Sequence, residues 1–198
     1  MRAATTLYFV RHGESQANAA RIFAGQVDSP LTERGRRQAE AVADALRAQR
    51  VDRVVSSDLS RTRDTASAIA RRCGLTVECF GELREIDLGA MAGRPFEDAR
   101  RAPEWTDDGF VQWPGGESLE AVLRRSLGIV ERLIAESPGK TIVIVGHGGV
   151  TRILVSHFLG LLPRLDRTRA TNTTITRVTT DGTTYRLEQL FDDAHLGE

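Results

Sequence analysis

Two rhythms of apolar and polar positions alternate along this chain. Leu7-Tyr8-Phe9-Val10 and Thr141-Ile142-Val143-Ile144-Val145 are short, nearly continuous apolar runs, too short for helices, and read as strands buried on both faces. Val51–Ser56 and Leu75–Phe80 read as two more strands. Between them the period becomes helical. Within Leu31–Gln49, Ala39, Val42, Ala43 and Leu46 recur at i, i+3, i+4 and i+7. Ser60–Cys73 carries Ala66, Ile69 and Ala70 on one face, with Gly74 as its stop. Ser118 is placed to cap a long helix bearing Leu119, Val122, Leu123, Leu127, Val130 and Ile134, which Pro138-Gly139 ends. A last helix runs from about Val150 to Leu159, stopped by Gly160.

Beyond it the pattern changes to alternation rich in β-branched residues, over Thr174–Thr179 and Thr184–Leu190, with Asp181-Gly182 between them as a two-residue hairpin signal. Strands alternating with helices predict an α/β fold, a three-layer α/β/α sandwich on a mostly parallel central sheet. The C-terminal hairpin adds antiparallel character. The stretch of about 90–116, with Pro95, Pro103, Trp105, Trp113 and Pro114, is the least regular and reads as a small cap over the strand ends. No repeat or interdomain linker divides residues 1–198, so one domain is expected.

Composition narrows the function. At 198 residues the chain buries roughly 70% of its unfolded surface and needs no covalent staples. Charges balance at 27 against 27, which argues against a nucleic-acid footprint or a membrane-surface patch. Lys140 is the sole lysine, so arginine supplies nearly all the positive charge. Cys73 and Cys79 read as small buried or idle thiols, and no Cys/His cluster has zinc spacing. No apolar run reaches transmembrane length, and Leu7–Val10 ends at once in Arg-His, unlike the core of a signal peptide. A cytoplasmic protein is the expectation.

The chemistry gathers at strand ends. The first strand runs directly into Arg11-His12-Gly13-Glu14 and the fourth into Gly146-His147-Gly148-Gly149. In an open α/β sheet the ligand crevice lies outside the carboxyl ends of the strands, so two distant histidines can meet there. An imidazole nucleophile beside a guanidinium suits phosphoryl transfer. Arg61 follows the second strand and sits just inside a helix start, where an anion also gains from the helix dipole.

This pattern resembles the histidine phosphatase superfamily, also called phosphoglycerate mutase-like, over nearly the whole chain. The likeness rests on Arg11-His12-Gly13-Glu14-Ser15 with Asn18, on Asp28-Ser29-Pro30-Leu31-Thr32 with Gly35, and on Ser56-Ser57-Asp58-Leu59-Ser60-Arg61-Thr62. It continues through Leu83-Arg84-Glu85 with Gly89, Pro114-Gly115-Gly116-Glu117-Ser118 and Gly146-His147-Gly148-Gly149. The resemblance implies His12 as the nucleophile that becomes phosphohistidine, Glu85 as the general acid, and Arg11, Asn18 and Arg61 as phosphate ligands. His147, protonated, would stabilise charge on the phosphoryl oxygens, as would the backbone N–H of Gly148. A carboxylic acid beside a phosphate dianion keeps its proton more readily, which suits an acid in that place; Asp87 is the rival to test.

The implied activity is a metal-independent phosphomonoesterase, without a cofactor, acting on a small phosphorylated metabolite. A cofactor-dependent phosphoglycerate mutase is the alternative. Mutases of the family carry a long basic insertion between acid and second histidine, whereas 86–146 here is short and holds only Lys140 as lysine. An inactive relative that only binds phosphorylated ligands is the third reading. Two departures from the family pattern bear on substrate: Gly89-Ala90-Met91-Ala92-Gly93 lacks the usual Trp-Glu, and Ala24 stands where relatives often have a polar residue. Candidate substrates are phosphoglycerates and their glycosylated forms, ribazole phosphate, sugar phosphates and nucleotides. No nucleic-acid or membrane partner is expected, and a homodimer stays open. His157, in helical phase with Val150, Ile153 and Leu154, reads as core; His195 is given no role.

Overall fold

The structure is a computed structural model that describes residues 4–102, 110–165, 168 and 170–197. Its elements are β1 (Thr5–Arg11), the single turn α1 (Gln16–Ala19), α2 (Glu33–Leu46), β2 (Arg53–Ser56), α3 (Ser60–Cys73), β3 (Val77–Cys79), α4 (Phe96–Arg101), α5 (Leu119–Glu136), β4 (Thr141–Gly146), α6 (Gly148–Phe158), β5 (Ile175–Thr180) and β6 (Tyr185–Asp192). The strands of the described residues form one mixed sheet in the order β3-β2-β4-β1-β5-β6. β1 to β4 run parallel, β5 is antiparallel to β1, and β6 is antiparallel to β5.

Alternate side chains of each central strand enter different layers. Leu7, Phe9, Ile142, Ile144 and Val55 pack with α5 and α6. Tyr8, Val10, Val143, Val145 and Val54 pack with α2 and α3. Each buried Leu, Val or Ile contributes about 1.5–3 kcal/mol. Thr32 caps α2, accepting from the Gly35 N–H at 3.0 Å, and Ser118 caps α5, accepting from Ala121 at 3.2 Å. Gly74 ends α3 in the left-handed conformation that its missing Cβ allows.

Some boundaries and side chains differ from expectation. α6 begins at Gly148, two residues before the first apolar position of its stripe. The β5–β6 loop has four residues: Thr180 pairs with Tyr185, and the Asp181 carboxylate accepts from both amides of Thr183 and Thr184. That Asx-type capping stabilises a wider loop than the Asp-Gly pair alone suggests. His157 is exposed, and the last turn of α6 meets the core through Phe158 instead. Cys73 is half-buried, Cys79 exposed, and both are free. The cap contains a 3-10 turn, Gly89–Met91, and α4; Met91, Ala99 and Trp113 form a small core against Phe23 and Leu88. Residues 103–109 of the predicted cap, with Pro103 and Trp105, lie outside the described residues.

Candidate functional site

The β1–β4 register builds the site. Arg11 stands opposite Gly146, so His12 and His147 leave adjacent strands side by side, with ring centroids 5.3 Å apart. The His12 backbone N–H donates to Gly146 O at 3.0 Å, which extends the ladder one residue past the strand. Both rings are buried, at 4% and 0% exposure.

His12 Nδ1 lies 2.6 Å from Gly13 O, a carbonyl that can only accept, so Nδ1 carries the hydrogen and Nε2 keeps its lone pair. Burial, with the Arg11 and Arg61 charges, holds its pKa well below 6.5. The neutral, nucleophilic form therefore predominates at neutral pH. His147 is held toward the neutral form in the same way. Burial first, then His12, Arg61 and Arg11, push its pKa well below 6.5. Its Nε2 shares a hydrogen bond of 2.9 Å with Ser57 Oγ, which in turn meets Thr62 Oγ1 at 2.7 Å. Its Nδ1 is buried and has no hydrogen-bond partner among the described residues.

The cations come from separate elements. Arg11 ends β1, and its Nη1 donates to Ala170 O. Arg61, 2% exposed in the first turn of α3, donates to Gly25 O at 2.7 Å and Val27 O at 3.0 Å. Its charge is balanced in part by Glu85 and Asp28, and a guanidinium keeps its proton even when desolvated. Asn18 Oδ1 accepts from the Ser15 N–H at 3.2 Å and from Asn172 Nδ2 at 3.1 Å, which leaves the Asn18 amide nitrogen as the group to offer a ligand. Asn172 also donates to His12 O at 3.0 Å. It ties both loops together, and no periodicity or spacing in the sequence marks it.

Glu85 follows a 3-10 turn at Gly81–Leu83. Its carboxylate accepts from the N–H groups of Gly149 and Val150 at 3.2 and 3.3 Å, at the N-terminus of α6. Arg125 fixes the segment beneath it, donating to the carbonyls of Glu82, Arg84 and Glu85 while pairing with Glu117 at 2.7 and 2.8 Å. Glu117 thus gives the Pro-Gly-Gly-Glu-Ser run a positioning task. Asp87 turns away, its carboxylate accepting from Gly89 N–H at 2.9 Å, and it does not line the site.

Of the candidate residues, Arg11, His12, Asn18, Arg61, Glu85 and Gly148 line one cavity of ≈ 260 Å³, with Ile22, Phe23, Leu88 and Phe96 adding apolar lining; His147 is fully buried, packs edge-on against the His12 ring and does not line it. A larger hollow of ≈ 650 Å³ at the other end of β1, near Thr5, Asp181 and Tyr185, carries none of the candidate groups. Among the described residues no group of three or more His, Cys, Asp or Glu could hold a metal ion, and no helix is long and apolar enough to cross a membrane.

Gly149 permits the close approach of Glu85 to α6: a Cβ there would lie 2.6 Å from Glu85 Oε1 and 2.7 Å from Ile86 Cδ1. Gly149→Ala is expected to displace the Glu85 carboxylate by a fraction of an ångström or more. That should slow hydrolysis of an alkyl phosphate about 10- to 100-fold, since misplacement near 1 Å can cost ~10²-fold. Steady-state rates on glycerol phosphate, beside a melting curve showing a folded protein, check this; an unchanged rate would mean that Ile86 alone gives way.

The chain is similar to known proteins over most of its length. A model of the histidine phosphatase superfamily, branch 1, matches residues 7–193. A probable phosphoglycerate mutase GpmB of Cronobacter sakazakii is 40% identical over 181 residues, 87% of this chain and 83% of the relative. Mycobacterial glucosyl-3-phosphoglycerate phosphatase complexed with VO3 superposes with a TM-score of 0.86 at 31% identity, covering 95% of this chain and 99% of its own. Phosphoserine phosphatase from Entamoeba histolytica, in complex with 3-phosphoglyceric acid, gives 0.87 at 27% identity, with coverage of 97% and 99%.

Proposed function

The chain belongs to the histidine phosphatase superfamily, branch 1, and on that premise we propose that it is a phosphomonoesterase working through a phosphohistidine on a small phosphorylated metabolite, with residues 1–198 acting as one catalytic domain. The observation that carries this reading is His12: a buried, neutral imidazole with Nδ1 tied to Gly13 O and Nε2 available, beside two guanidiniums and facing the same cavity as Glu85.

His12 Nε2 attacks phosphorus, and the P–O bond to the leaving group breaks as the N–P bond forms. Arg11, Arg61, the Asn18 amide and the Gly148 N–H surround the phosphoryl oxygens, whose charge peaks in flight. Glu85 gives its proton to the departing alkoxide. Its carboxylate then takes a proton from the water that attacks phosphohistidine, releasing inorganic phosphate and restoring His12. An incoming dianion offsets the charges of Arg11 and Arg61 and raises the proton affinity of His147. The imidazolium then donates from Nδ1 to a phosphoryl oxygen while Nε2 donates to Ser57.

Mutase activity is the second reading, favoured by the naming of the bacterial relatives at up to 40% identity. The short segment 86–146, with one lysine, weighs against it, because it offers little to retain a bisphosphate between half-reactions. Given 3-phosphoglycerate and 2,3-bisphosphoglycerate, the protein is expected to release inorganic phosphate faster than it forms 2-phosphoglycerate. The same activity should survive excess EDTA and be inhibited strongly by vanadate, a pentacoordinate mimic of the transition state. Isomerisation outpacing phosphate release would make the mutase reading the correct one.

A further inference from the structure

Register shifts between β5 and β6 let Tyr185–Asp192 face Ile175–Thr180, and a strand bulged in this way bends. The 3-10 turn that follows, Ala194–Leu196, packs on α2 and brings the His195 ring to residues 171–173. Thr173 Oγ1 gives its one hydrogen to Asn172 O at 2.8 Å, a carbonyl that can only accept. The contact of 3.2 Å between Thr173 Oγ1 and His195 Nε2 is therefore a bond donated by the ring. His195 Nδ1 is buried and has no hydrogen-bond partner among the described residues. Thr171 Oγ1, donating to Asp193 Oδ2 at 3.2 Å, ties the same two segments a second time.

We propose that His195 is a positioning residue for the phosphate site, acting through Thr173 and Asn172 on His12 and Asn18. The proposal rests on the reading of His12 and Asn18 as phosphate-site groups. The Thr173 N–H donates to Arg11 O at 3.0 Å. Asn172 Nδ2 has two hydrogens and directs them to His12 O at 3.0 Å and Asn18 Oδ1 at 3.1 Å. These two residues thus hold the backbone on both sides of the nucleophile and keep the Asn18 amide nitrogen turned toward a ligand. Thr173 does this from a wholly buried position with φ of 59°, a region that a β-branched residue occupies only under strain. Such a conformation persists where the surroundings over-determine it, and the His195 bond is one of the restraints that do so. Without it the Asn172–Thr173 turn relaxes, and the Asn18 amide is free to rotate and present its oxygen to an anion.

Calorimetric titration with inorganic phosphate tests this without turnover. His195→Phe, which keeps a ring and loses the donor, is expected to bind phosphate about 3- to 10-fold more weakly than wild type, the range of one neutral hydrogen bond. His195→Gln, whose amide N–H reaches the same hydroxyl, should recover most of that affinity. Hydrogen exchange gives the local readout: in His195→Phe the Thr173 N–H should exchange about 3- to 10-fold faster, with the amides of β2 and β3 at their wild-type rates. Equal phosphate affinity in His195→Phe and wild type would overturn the proposal. So would a glutamine variant no better than the phenylalanine one, or faster exchange across the whole sheet, the mark of a merely structural residue. Failure of the phosphatase reading is seen separately, as wild-type protein that binds phosphate and does not turn over p-nitrophenyl phosphate.

Discussion

His12→Ala should lower phosphate release from any ester by about 10⁴-fold or more, since among the described residues lining the cavity His12 alone carries an imidazole, and His147 is fully buried behind it. The wild-type protein, quenched within its first turnover on labelled substrate, should carry a phosphoryl group that survives alkali and is lost in acid, as a phosphohistidine is; the variant should carry none. The fold should survive. The His12 ring bonds only to its neighbour's carbonyl and meets His147 edge-on, so its loss opens a small cavity without orphaning a charge. The pH profile follows from the same burial. The reactive form is the neutral imidazole, and its pKa is held well below 6.5 by desolvation and the two arginines. The acidic limb of kcat/KM should therefore fall below pH 6.5, with activity retained as pH drops through the range where an ordinary histidine would protonate. Substantial turnover in the alanine variant would end the phosphohistidine reading.

Glu85→Gln should separate two kinds of leaving group. An alkoxide needs a proton to depart, and general acids typically supply 10²–10⁴-fold; p-nitrophenolate leaves without one. The variant should lose about that factor on glycerol phosphate and less than roughly tenfold on p-nitrophenyl phosphate. Glutamine keeps one carbonyl oxygen for the amides of Gly149 and Val150, so the start of α6 should stay capped, at a cost near 1 kcal/mol. Steady-state rates on both esters decide the matter. Equal slowing of the two would mean that Glu85 holds α6 in place and moves no proton.

The strand ends were legible because a strand buried on both faces has no polar option: Leu7–Val10 and Thr141–Val145 could be little else, and the residues after them had to meet at one sheet edge. α3 was legible to the residue, since Gly74 supplies a backbone conformation that other residues resist. What stayed hidden was tertiary. Asn172 bonds to a carbonyl and an amide far from it in sequence, and Arg125 serves three carbonyls from a helix that looked simply amphipathic. The neutral state of His147 depends on desolvation by atoms from several elements, which no local pattern records. His157 shows the converse failure: it is in phase with Val150, Ile153 and Leu154 yet exposed, and Phe158 beside it makes the contact with the core.

The strand order has a consequence for how the protein comes into being. β1 is synthesised long before its two neighbours in the sheet, β4 and β5. A growing chain that already holds Arg11, His12, Asn18, Arg61 and Glu85 thus has nowhere to seat them. The apolar β1 stays unpaired on both edges until β4 and β5 have been made, a state that invites association with other chains and shelter by chaperones. The pocket is completed only once β4 and α6 have been made, so a product terminated before β4 retains most of the chemical groups and none of the cavity that makes them useful.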